Sequence, residues 1–64
     1  MKPHHIVVTD APGQPRRMFD YPSRRAALSD ACRIFENGPR TVVVQVYEGT
    51  IADRSDADPV QVFG

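Results

Sequence analysis

The sequence contains no tryptophan, a single cysteine and no excess of charge, since eight acidic residues balance eight basic ones. A lone cysteine forms no internal disulfide, which is typical of a protein in a reducing compartment. No apolar run approaches the roughly 18 residues of a membrane span, and the first residues open no signal peptide. A neutral chain has no bulk attraction to nucleic acid or acidic lipid. We therefore expect a cytoplasmic protein with no membrane partner, for which direct nucleic-acid binding is disfavoured.

The length of 64 residues excludes most enzyme architectures. Such a chain forms one domain, residues 1–64, and buries only about 60% of its extended surface on folding. The hydrophobic fraction of 41% still predicts a small folded core rather than a disordered chain. The four glycines are isolated from one another, so no phosphate-cradling loop is expected.

Proline and glycine divide the chain into segments with regular patterns. β-branched residues and alternation of apolar with polar side chains are typical of strands. Between the first two of these segments, Pro12-Gly13 predicts a type II turn in which Gly13 has a positive φ. A loop over residues 49–58 precedes the last segment. The predicted strands are residues 4–9, 16–21, 41–48 and 59–63.

A helix is predicted between the second and third strands. Ser23 can cap its free N–H groups, and the helix runs to about Asn37. Gly38 suits a left-handed residue just beyond the helix, and Pro39 cannot continue it. One arc of the helix is apolar and the opposite side is polar. The apolar arc consists of Ala27, Leu28, Ala31, Cys32, Ile34 and Phe35.

This β-β-α-β-β order predicts an α+β fold. A right-handed crossover between the second and third strands leaves a gap that the first strand fills. The result is a four-stranded antiparallel sheet in the order 2-1-3-4, with the helix packed on one face. Val42, Val44 and Val46 would face the helix. The open face would carry Val7, Met18, Val43 and Tyr47, joined by Phe63 if the last strand has that register.

No group of residues forms a convincing catalytic or metal site. His4 and His5 are neighbours on a strand, so their rings point to opposite faces, and we interpret them as an exposed strand start. Cys32 borders the apolar arc of the helix, as a packed thiol does. Nothing in its sequence neighbourhood supplies an oxyanion hole. We therefore expect a non-enzymatic protein without a cofactor or a metal.

The charges are unevenly distributed along the chain. Residues 1–32 carry five basic and three acidic side chains, whereas residues 33–64 carry three basic and five acidic ones. The acidic side chains of the second half could dock on a groove lined by arginine and lysine in a partner protein. They could equally form a solvated loop. These candidate partner-binding residues are Glu36, Glu48, Asp53, Asp56 and Asp58.

Two alternative contact surfaces remain open. The doublets Arg16-Arg17 and Arg24-Arg25 could touch phosphate groups, which would make the protein a small nucleic-acid-binding accessory module. The second doublet lies in the first helical turn, where the helix dipole disfavours cations. Alternatively Val43 and Tyr47, on the open sheet face, could bind a partner or a second copy. We accordingly expect a monomer or a weak homodimer.

The small size, the lack of a catalytic set and the acidic residues Glu48, Asp53, Asp56 and Asp58 together resemble the small anti-CRISPR inhibitor proteins of phages. The resemblance covers the whole chain but carries no shared motif. It implies a non-catalytic inhibitor whose acidic, DNA-mimicking surface blocks DNA binding by a CRISPR effector. Many such mimics are strongly acidic, whereas this chain is neutral, so its mimicry would have to be local.

Overall fold

The computed structural model of the chain describes residues 2–53 and 58–64. Its four strands form one sheet, and a helix packs on one face of that sheet. The strand order is β2-β1-β3-β4, and every neighbouring pair is antiparallel. The predicted α+β fold and its strand order are confirmed. The elements are β1 (His4–Thr9), β2 (Arg16–Tyr21), α1 (Arg24–Asn37), β3 (Val43–Glu48) and β4 (Gln61–Phe63).

The hairpin between β1 and β2 closes as the sequence predicts. The amide of Gln14 donates a hydrogen bond to the carbonyl of Ala11 over 3.1 Å. Gly13 occupies the turn with a φ of 83°, a conformation that a residue with a Cβ rarely adopts. This turn sets the register in which Thr9 faces Arg16 and His4 faces Tyr21.

The helix begins where the sequence predicts it to begin. Ser23 has an extended backbone, and its side-chain oxygen accepts a hydrogen bond from the amide of Ala26. Ala27 and Ala31 are fully buried against the sheet, and their small side chains let the helix lie close to it. Within the described residues, no helix has the length and apolar character that crossing a membrane requires.

The end of the helix differs from the prediction. Gly38 has a φ of −90° and an extended backbone, so it is not the left-handed residue that the sequence suggested. Its lack of a side chain serves close packing instead. A Cβ at this position would lie 3.0 Å from the carbonyl oxygen of Ile34 and 3.1 Å from a methyl carbon of Val42. The chain turns directly from the helix toward β3, and glycine leaves the space for that turn.

The core lies between the helix and one face of the sheet. Ile6 is paired with Val46 across the sheet, and Val8 is paired with Val44. The side chains of all four point toward the helix and are fully buried. The buried cluster consists of Ile6, Val8, Ala27, Ala31, Val42, Val44 and Val46, with Tyr21, Leu28, Ile34 and Phe63 packed around it.

The register of β4 decides the position of Phe63. Phe63 lies opposite Val44, which faces the helix, so Phe63 also faces the helix and not the open face. Its ring is tilted against that of Phe35, with 6.0 Å between the centroids. Val62, not Phe63, is therefore the residue of β4 that lies on the open face. The strand is also shorter than predicted, beginning at Gln61 rather than at Pro59, and β3 begins at Val43 rather than at Thr41.

A polar contact fastens the helix to strand β2. The hydroxyl of Tyr21 donates a hydrogen bond to the carboxylate of Asp30, which also accepts one from the guanidinium of Arg33. These contacts hold the pKa of Asp30 below its ordinary value, and the bond from Tyr21 is the largest cause. Partial burial and the same carboxylate raise the pKa of Tyr21 to about 12. The hydroxyl therefore stays protonated, as a donor must.

Replacing Ile6 by alanine removes a fully buried side chain from the middle of the core. We expect the free energy of unfolding to fall by about 2–5 kcal/mol, because the cavity adds to the lost burial. Urea unfolding followed by circular dichroism measures the change. Val62→Ala is the control, since its side chain is 48% exposed and the expected loss is within about 0.5 kcal/mol. Equal losses in both variants would contradict the assigned core.

Tyr21→Phe removes the main cause of the lowered Asp30 pKa, which should rise toward its ordinary value of 3.8. Because the folded-state pKa is depressed, the bond stabilises the fold at neutral pH and its contribution disappears as the pH falls through that pKa. The variant should therefore be destabilised at about pH 7, and the difference from wild type should shrink as the pH falls below 3.8 and through the lowered pKa of Asp30. Carboxyl NMR titration and urea unfolding test this. Tyr47→Phe, which keeps its ring stacked on His5, is the matched control.

Candidate functional site

The two ends of the sheet carry different side chains. At one end, His4, Tyr21 and Glu48 lie side by side on β1, β2 and β3, and the helix begins. We call this the His4 end. At the other end, Thr9, Arg16 and Val43 lie side by side, and the helix finishes. The distance between the ends decides which predicted site residues can act together.

The predicted acidic residues do not form one surface. Glu48 closes β3 at the His4 end, and Asp53 follows it in the connection to β4. Glu36 lies in the last turn of α1 and therefore at the Thr9 end, about 18 Å along the helix from its first residue. Asp58 is exposed at the start of the segment that leads into β4. Asp56 lies outside the described residues.

The connection after β3 is fixed to the sheet as far as Asp53. The amide of Ile51 donates a 2.7 Å hydrogen bond to the carboxylate of Asp20 on β2. The hydroxyl of Thr50 donates to the carboxylate of Asp53, whose amide donates to the carbonyl of Thr50. Asp53 therefore projects from a turn that is anchored to the sheet.

The arginine doublets are also separated. Arg16 and Arg17 begin β2 at the Thr9 end, where Arg17 forms an ion pair with Asp10 at 2.8 Å. Arg24 and Arg25 form the first turn of α1 at the His4 end. The strand between the doublets covers about 3.3 Å per residue, so they do not form one basic patch.

The open face of the sheet carries Val43 and Tyr47, as expected, and both are half-buried. Between them and β2 lie His5 and Val7, which are buried even though no helix covers this face. Val62 of β4 completes the surface and is 48% exposed. The sequence reasoning missed Val62, because the pattern of a three-residue strand does not determine its register.

The two histidines are buried, contrary to the expectation of an exposed strand start. They do point to opposite faces. The Nδ1 of His4 lies 3.0 Å from the carbonyl oxygen of Lys2, and that of His5 lies 2.9 Å from the carbonyl oxygen of Gly49. A carbonyl only accepts, so each Nδ1 carries the proton, and in the neutral ring each Nε2 is an acceptor. The Nε2 of His5 is buried without a partner, with its ring stacked on Tyr47.

An open cleft of about 540 Å³ lies at the His4 end, between β1 and the start of the helix. It combines one buried histidine with three cationic side chains and one carboxylate. The sequence analysis did not connect these residues, since they come from three separate segments of the chain. A signal was present in Ser23-Arg24-Arg25, a helix cap followed by two cations. The cleft is lined by Lys2, His4, Ser23, Arg24, Arg25 and Glu48.

Cys32 lies in α1 and is half-buried, with a free thiol. Its thiol donates a hydrogen bond to Glu36 over 3.4 Å, and that carboxylate raises the pKa of the thiol. A raised pKa lowers the fraction of the nucleophilic thiolate at neutral pH. Among residues 2–53 and 58–64, no three histidine, cysteine or carboxylate side chains come together in a way that could hold a metal ion.

Comparison with known proteins gives no relative: no family matches the chain, and neither a curated protein nor a solved structure does.

Glu36→Gln should make Cys32 more reactive. The carboxylate of Glu36 is the main cause of the raised thiol pKa, so its removal lowers that pKa. We expect faster alkylation by iodoacetamide at mildly alkaline pH and a rate–pH profile displaced toward lower pH. Glu48→Gln removes an equal charge at the His4 end and should leave the profile unchanged. Identical profiles for wild type and Glu36→Gln would contradict the contact.

Proposed function

We propose that the protein is a non-catalytic inhibitor that binds a protein partner through an acidic surface at the His4 end. This acidic surface consists of Glu48, Asp53 and Asp58. The observation that carries the proposal is that all three side chains are exposed and follow closely along the chain: Glu48 ends β3, and Asp53 and Asp58 lie between β3 and β4. Glu36 is not part of the proposed contact, since it lies at the other end of the domain.

The charges of the acidic surface are available to a partner. Asp53 and Asp58 form no ion pair with the described residues. Glu48 lies 3.5 Å from the ammonium group of Lys2, but their side chains are 57% and 76% exposed. Exposed pairs of this kind contribute about 0–1 kcal/mol, so a partner's arginine can replace Lys2 at little cost.

The anchored turn that holds Asp53 favours electrostatic binding to a partner. Asp53 is held by Thr50, and the adjoining Ile51 is bonded to Asp20 on β2. A carboxylate that is already positioned loses less conformational entropy on binding than one on a free loop. The fixed spacing of Glu48 and Asp53 thus supports recognition of a groove that is itself lined by fixed cations.

The partner proposed is a protein with a basic nucleic-acid groove, and the resemblance implies a CRISPR effector in the bacterial cytoplasm. Carboxylates that occupy such a groove take the positions of DNA phosphates and exclude the target strand. Because the chain is neutral overall, attraction arises from the acidic surface alone. Association should therefore be faster at low salt, since opposite charges steer the encounter.

Charge removal at the acidic surface tests the proposal. We expect the triple variant Glu48→Gln, Asp53→Asn, Asp58→Asn to weaken binding to the purified effector about tenfold or more, because three attractive charges are lost while shape is retained. Biolayer interferometry measures affinity, and phage plaquing on a strain with active CRISPR immunity measures inhibition. Glu36→Gln, an equal change at the opposite end, should keep both within about twofold.

Three outcomes would contradict the proposal. The wild-type protein could fail to protect phage in strains carrying different CRISPR types, which removes the inhibitor function. The triple variant could bind as well as wild type, which removes the acidic surface. Val62→Asp on the open sheet face could abolish inhibition while the triple variant retains it, which would transfer the contact to Val43, Tyr47 and Val62.

A further inference from the structure

Strand β2 forms one edge of the sheet, and its outer side has no neighbouring strand in the part of the chain that the structure describes. It runs from Arg16 to Tyr21, and only β1 lies beside it. Within residues 2–53 and 58–64, no hydrogen bond from outside that pairing reaches the backbone of β2. The outward N–H and C=O groups of an edge strand are a template on which another strand can pair.

Strand β2 lacks the features that usually protect an edge from pairing. Natural edge strands are shortened, bulged or interrupted by proline. β2 pairs with β1 residue by residue along its whole length, without a bulge, and it contains no proline. The opposite edge is different, since β4 has only 3 residues and begins shortly after Pro59. Of the two edges, β2 is therefore the one that a further strand can join.

The helix leaves the edge at β2 uncovered. It packs mainly over β3 and β1 rather than over β2. Phe19 lies opposite Ile6, and therefore on the helix side of the sheet, yet it is 39% exposed. Burying the ring of an exposed phenylalanine against another surface is favourable. The helix side of β2 is thus open to a neighbouring molecule.

The charges on the open side of β2 are arranged symmetrically about Met18, with opposite signs. Arg16 precedes Met18 and Asp20 follows it at the same spacing. All three lie on the open side of the sheet, because they pair with alternate residues of β1. Both charged side chains are exposed, and neither forms an ion pair with residues 2–53 and 58–64. The carboxylate of Asp20 is held in position by the amide of Ile51.

We propose that β2 is a homodimer interface, in which it pairs antiparallel with β2 of a second copy about a two-fold axis at Met18. Residues that lie directly opposite each other in such a pair point to the same face. The axis at Met18 therefore places Arg16 opposite Asp20 of the second copy, and Asp20 opposite Arg16 of the second copy. Each of these pairs of opposite charges favours the association. The two sheets join into one, with both helices on the same side.

The charges also distinguish this register from its neighbours. An axis at Arg17 would set the two Arg17 guanidinium groups opposite each other, which is destabilising. An axis at Phe19 would set Asp20 opposite Met18 and leave Arg16 without a charged partner. With the axis at Met18, Phe19 lies opposite Arg17 of the second copy, whose guanidinium can pack on the ring. Of these three registers, only the last matches every charge on the open side.

Sedimentation velocity at protein concentrations from about 10 µM to about 1 mM tests the association. The contact involves one short edge, so we expect a weak dimer whose fraction rises with concentration and falls with added salt. In ¹⁵N NMR spectra, the amide signals of residues 16–20 should shift with protein concentration. Those of residues 61–63, at the other edge of the sheet, should stay in place.

Charge exchange between two variants tests the register. Arg16→Asp leaves a carboxylate at both positions 16 and 20, and Asp20→Arg leaves a guanidinium at both, so each variant should self-associate about tenfold or more weakly than wild type. An equimolar mixture of the two should form a heterodimer within about threefold of the wild-type affinity, because every cation again faces an anion. Arg40→Asp, an equal charge change outside β2, is the control and should alter the dissociation constant less than about twofold.

Misfolding is distinguished from loss of the contact by the mixture itself. Asp20→Arg also removes the hydrogen bond from Ile51, so thermal unfolding is measured for each variant. Recovery of association in the mixture requires that both variants are folded. The triple variant at Glu48, Asp53 and Asp58 should dimerise like wild type, so the dimer and the inhibitor contact can fail separately.

The proposal is overturned if the wild-type protein stays monomeric at the highest concentration, or if the mixture associates no better than its components. It is also overturned if Val62→Asp abolishes association while Arg16→Asp retains it, since the second copy would then lie on the open face. Concentration-dependent shifts confined to residues 61–63 would likewise contradict it, because they would place the contact at β4.

Discussion

The fold depends on β1, which is paired on both sides and, unlike β3, is buried on both faces. Its side chains from His4 to Val8 are all buried. Ile6 and Val8 supply the centre of the core beneath the helix, while His5 and Val7 fill the open face between β2 and β3. Among the strands that the structure describes, none of the others is buried on both faces. The positions of β2, β3 and the helix all follow from this one strand.

The sequence alone predicted those features that depend on local rules. The turn at Pro12-Gly13, the cap at Ser23 and the apolar stripe of the helix each involve residues within four positions of one another, and each is found in the structure. Antiparallel pairing and the crossover then limited the strand order to one arrangement. Features that depend on tertiary packing were harder to predict from the sequence. The extended backbone of Gly38 arises from the closeness of Val42, and the orientation of Phe63 arises from a register that three residues cannot specify.

The same distinction between local and tertiary features applies to the candidate sites. Sequence reasoning identified the acidic residues and the arginine doublets as groups, because it counted charges along the chain. In the structure these residues fall at the two ends of the sheet. Arg24 and Arg25 lie at the His4 end with Glu48. Arg16, Arg17 and Glu36 lie at the Thr9 end. The burial of both histidines could not be predicted from the sequence pattern either, because alternation at the start of a strand is compatible with exposed side chains. Their depth depends on Tyr47, Gly49 and the helix start, which come from distant parts of the chain.

The central position of β1 has a consequence for how the chain folds during synthesis. Its hairpin partner β2 follows within a few residues, but its other partner lies far away, since His4 pairs with Glu48. Contacts over such separations form slowly, because a long loop must close first. Until β3 has been made, one edge of β1 remains open to pairing with other chains. The growing chain therefore passes through a stage in which the strand that will be its most buried is its least protected.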